Sequence, residues 1–404
     1  MHFAHSPRSI ELQKAAEAFM AECVYPAEPV FAEQMAAADS WDAPPVMADL
    51  QEQARKRGLW NLFLPDEKHG AGLTNLDYAP IAEISGRSPL LAPEAMNCSA
   101  PDTGNMELLA MFGTPAQQER WLEPLLDARI RSCFSMTEPD VASSDASNIA
   151  TRIERDGDDF IVTGRKWWSS GAMASNCEVA IVLGVSDPEG APHRRHSMVL
   201  VPMDSPGLHR RRSTTVLGYS DRSHGGHAEI DFDGVRVPGD SLLGEEHAGF
   251  AMAQARLGPG RIHHCMRLLG MAERALELMC RRVLDRSTFG SPVADHGVVQ
   301  SWIADARVGL EQARLLTLKT AWLMDTVGNR GAATEIAAIK VVAPKLACEV
   351  IDSAIQAFGG AGMSDDVPLA QMYAHARSLR IADGPDEVHR RTLARRELNR
   401  YRSR

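Results

Sequence analysis

Apolar positions recur every three or four residues through the first third of the chain. They cluster in short alternating runs in the middle, then return to helical spacing. From Ser9 to about Ala38, Ile10, Ala15, Ala18 and Phe19 keep a helical rhythm that Pro26 and Pro29 are expected to interrupt. Pro44-Pro45 precede a helix over Val46 to Arg57, which Gly58 closes as a C-cap. A glycine-bearing loop spans Leu64 to Leu73, and helices are expected at Asn75 to Gly86, Asn105 to Phe112 and Gln117 to Leu126. Asp102 or Thr103 is the expected N-cap of the second of these.

The period changes near residue 131. Cys133 to Met136 reads as a strand, and Pro139 takes the chain out of the ladder into a loop bearing Ser143, Ser144 and Asp145. Ala150 to Arg155 and Asp159 to Thr163 flank an Asp156-Gly157 turn as a hairpin. Glu178 to Val185, Ser197 to Pro202, and the pair His227 to Phe232 with Val235 to Val237 complete a small antiparallel barrel or sandwich. Long apolar-periodic stretches follow at Phe250 to Arg286, Val298 to Val327, Glu335 to Phe358 and Leu369 to Leu379, with a kink or break expected at Pro344. The fold class is α+β. An all-α domain (1–130) precedes a small antiparallel β domain (131–240) and a C-terminal four-helix bundle (241–404).

Composition changes this picture little. The 404 residues, 44% hydrophobic and 24% charged, describe an ordinary globular protein with room for two or three domains. The sequence contains no 18-residue apolar run, and the N-terminal stretch lacks an apolar core flanked for export, so neither membrane span nor signal is expected. Seven scattered cysteines without a CxxC pair imply reduced thiols and a cytoplasmic setting. A net charge of -10 argues against nucleic-acid binding, although seven arginines (Arg390, Arg391, Arg395, Arg396, Arg400, Arg402, Arg404) crowd the last fifteen residues. Arg210-Arg211-Arg212 reads as a solvated face, and His224-Gly225-Gly226-His227 with His263, His264 and Cys265 lacks the spacing of a metal site. GxGxxG, Walker, HExxH and GxSxG patterns do not occur.

Specific chemistry enters through resemblance. Ser135-Met136-Thr137-Glu138-Pro139 with Ser144-Asp145, and Gly164-Arg165-Lys166-Trp167-Trp168-Ser169-Ser170-Gly171, resemble the two flavin-side motifs of the acyl-CoA dehydrogenase family. Pro101-Asp102-Thr103-Gly104-Asn105-Met106 brings the chain closest to family members 10 and 11. The resemblance implies FAD, with contacts from Phe134, Met136, Thr137, Ser143, Ser144, Trp168 and Ser170. Arg286-Ser287-Thr288-Phe289-Gly290 and Gln356-Ala357-Phe358-Gly359-Gly360 resemble segments that reach the FAD of a neighbouring subunit. Arg286, Thr288, Phe289, Gln356, Gly359 and Gly360 are therefore implied contacts in a homodimer or homotetramer. Pro385, in place of the family's hydroxyl, and Glu387 also fall at the FAD site, while Ser144, Arg261 and Gly384 are implied substrate contacts.

The family's base is a glutamate that removes the α-proton of the thioester, and Asp383 takes that place here. Aspartate is one methylene shorter, a loss of roughly 1.5 Å in reach. Where relatives carry the base on an earlier helix, this chain has Gly260. The expected reaction is dehydrogenation of an acyl-CoA, extending to 4-hydroxyacyl and 4-phosphoryloxyacyl chains, with an electron-transfer flavoprotein as acceptor. The fold's nitroalkane oxidases, which use an aspartate base, and its DNA-associated flavoproteins are the alternatives.

Overall fold

A computed structural model describes residues 4–402, so Arg404 of the basic tail lies outside the described residues. Ser6 caps α1 (Pro7–Phe19) by accepting from the Ser9 N–H. One π-helical turn, Met20–Val24, joins α1 to α2 (Tyr25–Ala37), so the helical path continues where Pro26 and Pro29 were expected to interrupt it. Pro26 follows directly on the π-helical turn, and burial of Phe19, Met20 and Val24 holds the junction against the loss of its N–H. Two further helices are α3 (Val46–Lys56) and α4 (Asn75–Gly86), the latter capped by Thr74.

Helix α5 (Asp102–Phe112) starts three residues before the expected Asn105. Asp102 is not its cap. Its carboxylate accepts from the Ser132 N–H (2.8 Å) and hydroxyl (2.6 Å), which ties α5 to the sheet.

The middle region forms one eight-stranded sheet. Its strands are β1 (Arg131–Ser135), β2 (Arg152–Asp156), β3 (Asp159–Ser170), β4 (Cys177–Val185), β5 (His196–Pro202), β6 (Leu208–Thr214), β7 (His227–Val237) and β8 (Leu242–Leu243). The order is β6-β7-β3-β2-β4-β5-β8, with β1 also paired to β4. The sheet is mainly antiparallel, but β1 and β2 meet β4 in parallel. The Arg210–Arg212 run lies on the outer strand β6, where Arg211 and Arg212 pair with Asp231 and Glu229 of β7. Charge on an outer strand discourages further strand addition.

The C-terminal helices are α6 (Gly249–Asp285), α7 (Gly297–Gly331), α8 (Ala333–Phe358), α9 (Leu369–Ser378) and α10 (Asp386–Arg402). Helix α8 runs through Pro344 without the break that was one of the two expected outcomes there; Pro344 is buried, and packing against α6, α7, α9 and α10 supports the helix. The basic tail is thus helical. Helices α4 and α6 cross unusually closely. Gly86 of α4 and Gly270 of α6 bring two backbones together: a Cβ on Gly86 would stand 2.0 Å from the Arg267 carbonyl oxygen, and one on Gly270 would stand 1.8 Å from that of Glu83.

Three apolar cores hold these layers. Phe19, Tyr78 and Ile81 anchor the first, Met279, Leu310 and Ile351 the second, and Phe160, Val182 and Ile230 the third.

Candidate active site

The two aromatic and hydroxyl motifs meet at the end of the sheet. The Trp167 N–H donates to the Thr137 carbonyl at 3.0 Å, and Ser135 and Ser169 hydroxyls lie 2.9 Å apart. Fully buried Lys166 donates to the Met136 carbonyl (2.9 Å) and to Glu138 (2.8 Å). The same Glu138 carboxylate accepts from the Ala150 and Thr151 N–H groups, which fixes the intervening loop. Ser143 closes that loop, accepting from the Glu138 N–H and donating to its carbonyl, while Ser144 is exposed. Phe134 lies under the Arg256 guanidinium, 4.2 Å from its ring centre. Trp168 adopts φ 54° and keeps 39% of its surface exposed.

Asp383 stands in the turn between α9 and α10 with φ 57°, a left-handed conformation that Asp tolerates better than most residues. The turn is held by cations. Arg261 donates to the Asp383 carbonyl (2.9 Å), and Lys340 donates to the Leu379 (2.5 Å) and Ala382 (2.8 Å) carbonyls. Arg261, an implied substrate contact, thus holds the turn that carries Asp383. The Asp383 carboxylate faces α6: its Oδ2 is 3.6 Å from His264 Nε2 and 3.6 Å from where a Gly260 Cβ would stand.

Arg267 donates to His264 Nδ1 (3.3 Å), so neutral His264 carries its proton on Nε2, towards Asp383. Burial, with Arg267, keeps His264 well below the usual imidazole range and therefore neutral. Burial pushes the Asp383 carboxyl up, but the His264 N–H turned towards it and the Lys340, Arg256 and Arg261 cations hold it below the ordinary carboxylate value. The result is an ionised, half-buried carboxylate with a free oxygen to take a proton.

The remaining site residues gather elsewhere. Arg286 follows the end of α6, 26 residues beyond Gly260, a separation of about 39 Å along the helix. Arg282, one turn before it, lies over the Phe358 ring and donates to its carbonyl (3.4 Å). Arg286, Thr288 and Phe289 therefore share one end of the bundle with the Gln356, Gly359 and Gly360 segment, well away from Asp383. Phe289 is fully exposed, and Gly359 and Gly360 have open space where a Cβ would stand. Gly384 (φ 100°) and Pro385 complete the Asp383 turn, whereas Glu387 is exposed on α10.

These surroundings fit a flavin. Trp167 Nε1 is buried with no protein acceptor, beside the half-open Trp168 ring and the Thr137 strand end. The open glycine turn and exposed aromatic at the far end suit a second ligand portion or a neighbouring chain.

Sequence reading missed Arg256 and Lys340 and valued His264 only as a weak metal candidate. Helical spacing held part of the signal, because Gly260, His264 and Arg267 stand at i, i+4 and i+7 on one face of α6.

His263, the neighbour on another face, is buried edge-on against Tyr78 (5.1 Å) and Phe63 (6.4 Å). Burial, with Arg267, pushes its pKa down to about 3 from 6.5. An unfolded chain takes up this proton near pH 6.5 and the folded one does not. The associated stability is complete above pH 6.5 and is lost as pH falls below it. Between pH 6.5 and 5 the loss is about 2 kcal/mol. Denaturant titrations at pH 7 and pH 5 should therefore show wild type losing about 2 kcal/mol more than His263→Phe; equal losses would refute the assignment.

Among the described residues no helix is long and apolar enough to cross a membrane. The models for the N-terminal, middle and C-terminal domains of acyl-CoA dehydrogenase match residues 6–129, 133–235 and 247–398. The chain is 56% identical to FadE2 of Mycobacterium tuberculosis, described as an acyl-CoA dehydrogenase, over 100% of this chain and 98% of that protein. It is 50% identical to human acyl-CoA dehydrogenase family member 11 over 98% of its own length but spans only 51% of that relative. Among solved structures, butyryl-CoA dehydrogenase of Megasphaera elsdenii superposes with a TM-score of 0.83 at 25% identity, covering 98% of this chain and 100% of that one.

Proposed function

Because the chain belongs to the acyl-CoA dehydrogenase family of oxidoreductases, we propose that it binds FAD and dehydrogenates a saturated acyl-CoA between the α- and β-carbons, with Asp383 as base. The observation that carries this reading is the ionised, half-buried Asp383 carboxylate, aimed at the gap left by Gly260.

The thioester lowers the acidity barrier at the α-carbon, and Asp383 accepts that proton. Substrate entry displaces residual water and weakens the charge stabilisation of the carboxylate, raising its affinity for the proton as the reaction requires. Arg261 and Lys340 act on carbonyls of the turn, fixing the carboxylate without neutralising it by direct pairing. FAD, when bound beside Trp168 and Thr137, supplies the two-electron acceptor for the β-hydrogen. The polar groups around Asp383 (His264, Arg256) support 4-hydroxyacyl or 4-phosphoryloxyacyl substrates. An electron-transfer flavoprotein is the proposed acceptor. The separation of Arg286 to Phe289 from Asp383 supports a homo-oligomer in which each chain completes its neighbour's FAD site.

The test is to mix the purified yellow protein anaerobically with straight, branched and 4-substituted acyl-CoAs and follow flavin absorbance. Bleaching by at least one is expected. Bleaching by nitroalkanes alone would replace this reading with that of a nitroalkane oxidase.

A further inference from the structure

Ser170, His227 and Asp221 form a hydrogen-bonded chain. Ser170, the last residue of β3, pairs across the ladder with His227, the first of β7. Its hydroxyl lies 2.8 Å from His227 Nδ1, and His227 Nε2 lies 2.9 Å from Asp221 Oδ2. The imidazole and carboxylate are only 17% and 16% exposed.

Their backbones leave little room for rearrangement. The His227 N–H donates to Ser213 Oγ (2.8 Å), and its carbonyl accepts from Thr214 (3.1 Å). Gly171 and Met173 donate to the carbonyls of Gly226 and Gly225, both at 2.9 Å. A Cβ at Gly225 would stand 2.5 Å from the Gly171 oxygen, so the loop carrying Asp221 can sit this close only with glycine there.

The donor inventory then fixes the direction of each bond. Burial pushes the Asp221 carboxyl up, but its bond to His227 and the nearby His375 and His224 hold it below the usual range, so it only accepts. With one ring proton, His227 must therefore carry it on Nε2, which leaves Nδ1 as an acceptor. Ser170 must donate to that nitrogen. Its one proton is then committed, and only lone pairs remain for anything bound beside Trp168, whose ring lies 5.4 Å from His227.

An oxidised flavin offers a bare nitrogen at N5, which needs a donor. The reduced ring carries an N–H there, which needs an acceptor. Resting on the flavoenzyme reading above, we propose that Asp221 is a positioning residue that acts through His227 to make Ser170 a hydrogen-bond acceptor towards the flavin, favouring the reduced ring.

In Asp221→Asn, the amide can donate to Nε2, so His227 can move its proton to Nδ1 and donate to Ser170, whose own proton is released. Potentiometric dithionite titration of the flavin-loaded protein should show the oxidised-to-reduced equilibrium shifted about tenfold towards the oxidised form, about 30 mV lower for a two-electron couple. In a Ser170→Ala background the same substitution should add no shift.

The second measurement needs neither flavin nor a variant at Asp221. Nitrogen NMR of ring-labelled histidine in the flavin-free wild type at pH 7.5, assigned with His227→Gln, should show the Nε2–H tautomer. An unchanged potential in Asp221→Asn, or a His227 ring found Nδ1-protonated or doubly protonated, would overturn the proposal. Dithionite titration requires no acyl-CoA, so this result stands apart from the substrate reading. Failure to bind flavin at all would overturn both.

Discussion

Asp383→Asn is expected to slow anaerobic flavin bleaching by the best acyl-CoA about 10²- to 10⁴-fold, the usual contribution of a positioned general base, without loss of bound flavin. Asparagine suits the test. It keeps the volume of the side chain and tolerates the φ of 57° at this turn, where alanine would add strain. The turn itself should survive, because Arg261 and Lys340 hold backbone carbonyls and not the carboxylate. The loss should therefore be one of proton acceptance. A decrease of less than tenfold would remove Asp383 from the base role while leaving the family assignment intact.

The second prediction uses Gly260. A Cβ there would meet nothing within 4 Å except Asp383 Oδ2, at 3.6 Å. A glutamate grown from that position reaches the space that the Asp383 carboxylate occupies. Glycine inside a helix also costs about 1 kcal/mol relative to a good helix former, so Gly260→Glu should not weaken α6.

In the Asp383→Asn background, Gly260→Glu is expected to restore about 10- to 100-fold of the lost rate. In the wild-type background the same change sets two carboxylates face to face. One of them is forced to hold its proton, and the pH at which bleaching is half-maximal should rise. Stopped-flow bleaching across pH 5 to 9 reads both effects. A double variant no faster than Asp383→Asn would show that the two positions do not face a common point on the substrate.

Much of this site was legible before any coordinates. The Thr137 and Trp168–Ser170 segments were picked out by resemblance, although β1 pairs with β4 and it is a long-range bond from the Trp167 N–H to the Thr137 carbonyl that joins them. The long helices were equally plain, because an apolar stripe maintained over many turns has few alternatives. What escaped depends on partners far away in sequence. Asp221 gains meaning only when β7 is placed beside β3, and β6, which extends that sheet, was hidden by its arginines. Pro26 misled, and the break allowed for at Pro344 did not occur, for a related reason. Their local cost is real, but the packing of Phe19 and Val24, or of α8 against its neighbours, outweighs it. The distance of the Arg286 cluster from Gly260 emerges only once α6 is seen to run unbroken between them, because helix length converts residue count into ångströms.

The close crossing at Gly86 and Gly270, each against backbone of the opposite helix, gives the active site a mechanical tolerance. Side chains normally act as compliant spacers between helices, and rotamer changes absorb small displacements. Here backbone bears on backbone, with no such cushion, at the very residue, Arg267, whose guanidinium grips His264. A shift at this crossing would pass along α6 as through a lever, one turn away, and alter the gap between His264 and Asp383. The placing of the carboxylate proposed as base is therefore machined into a joint that contains no reactive group at all.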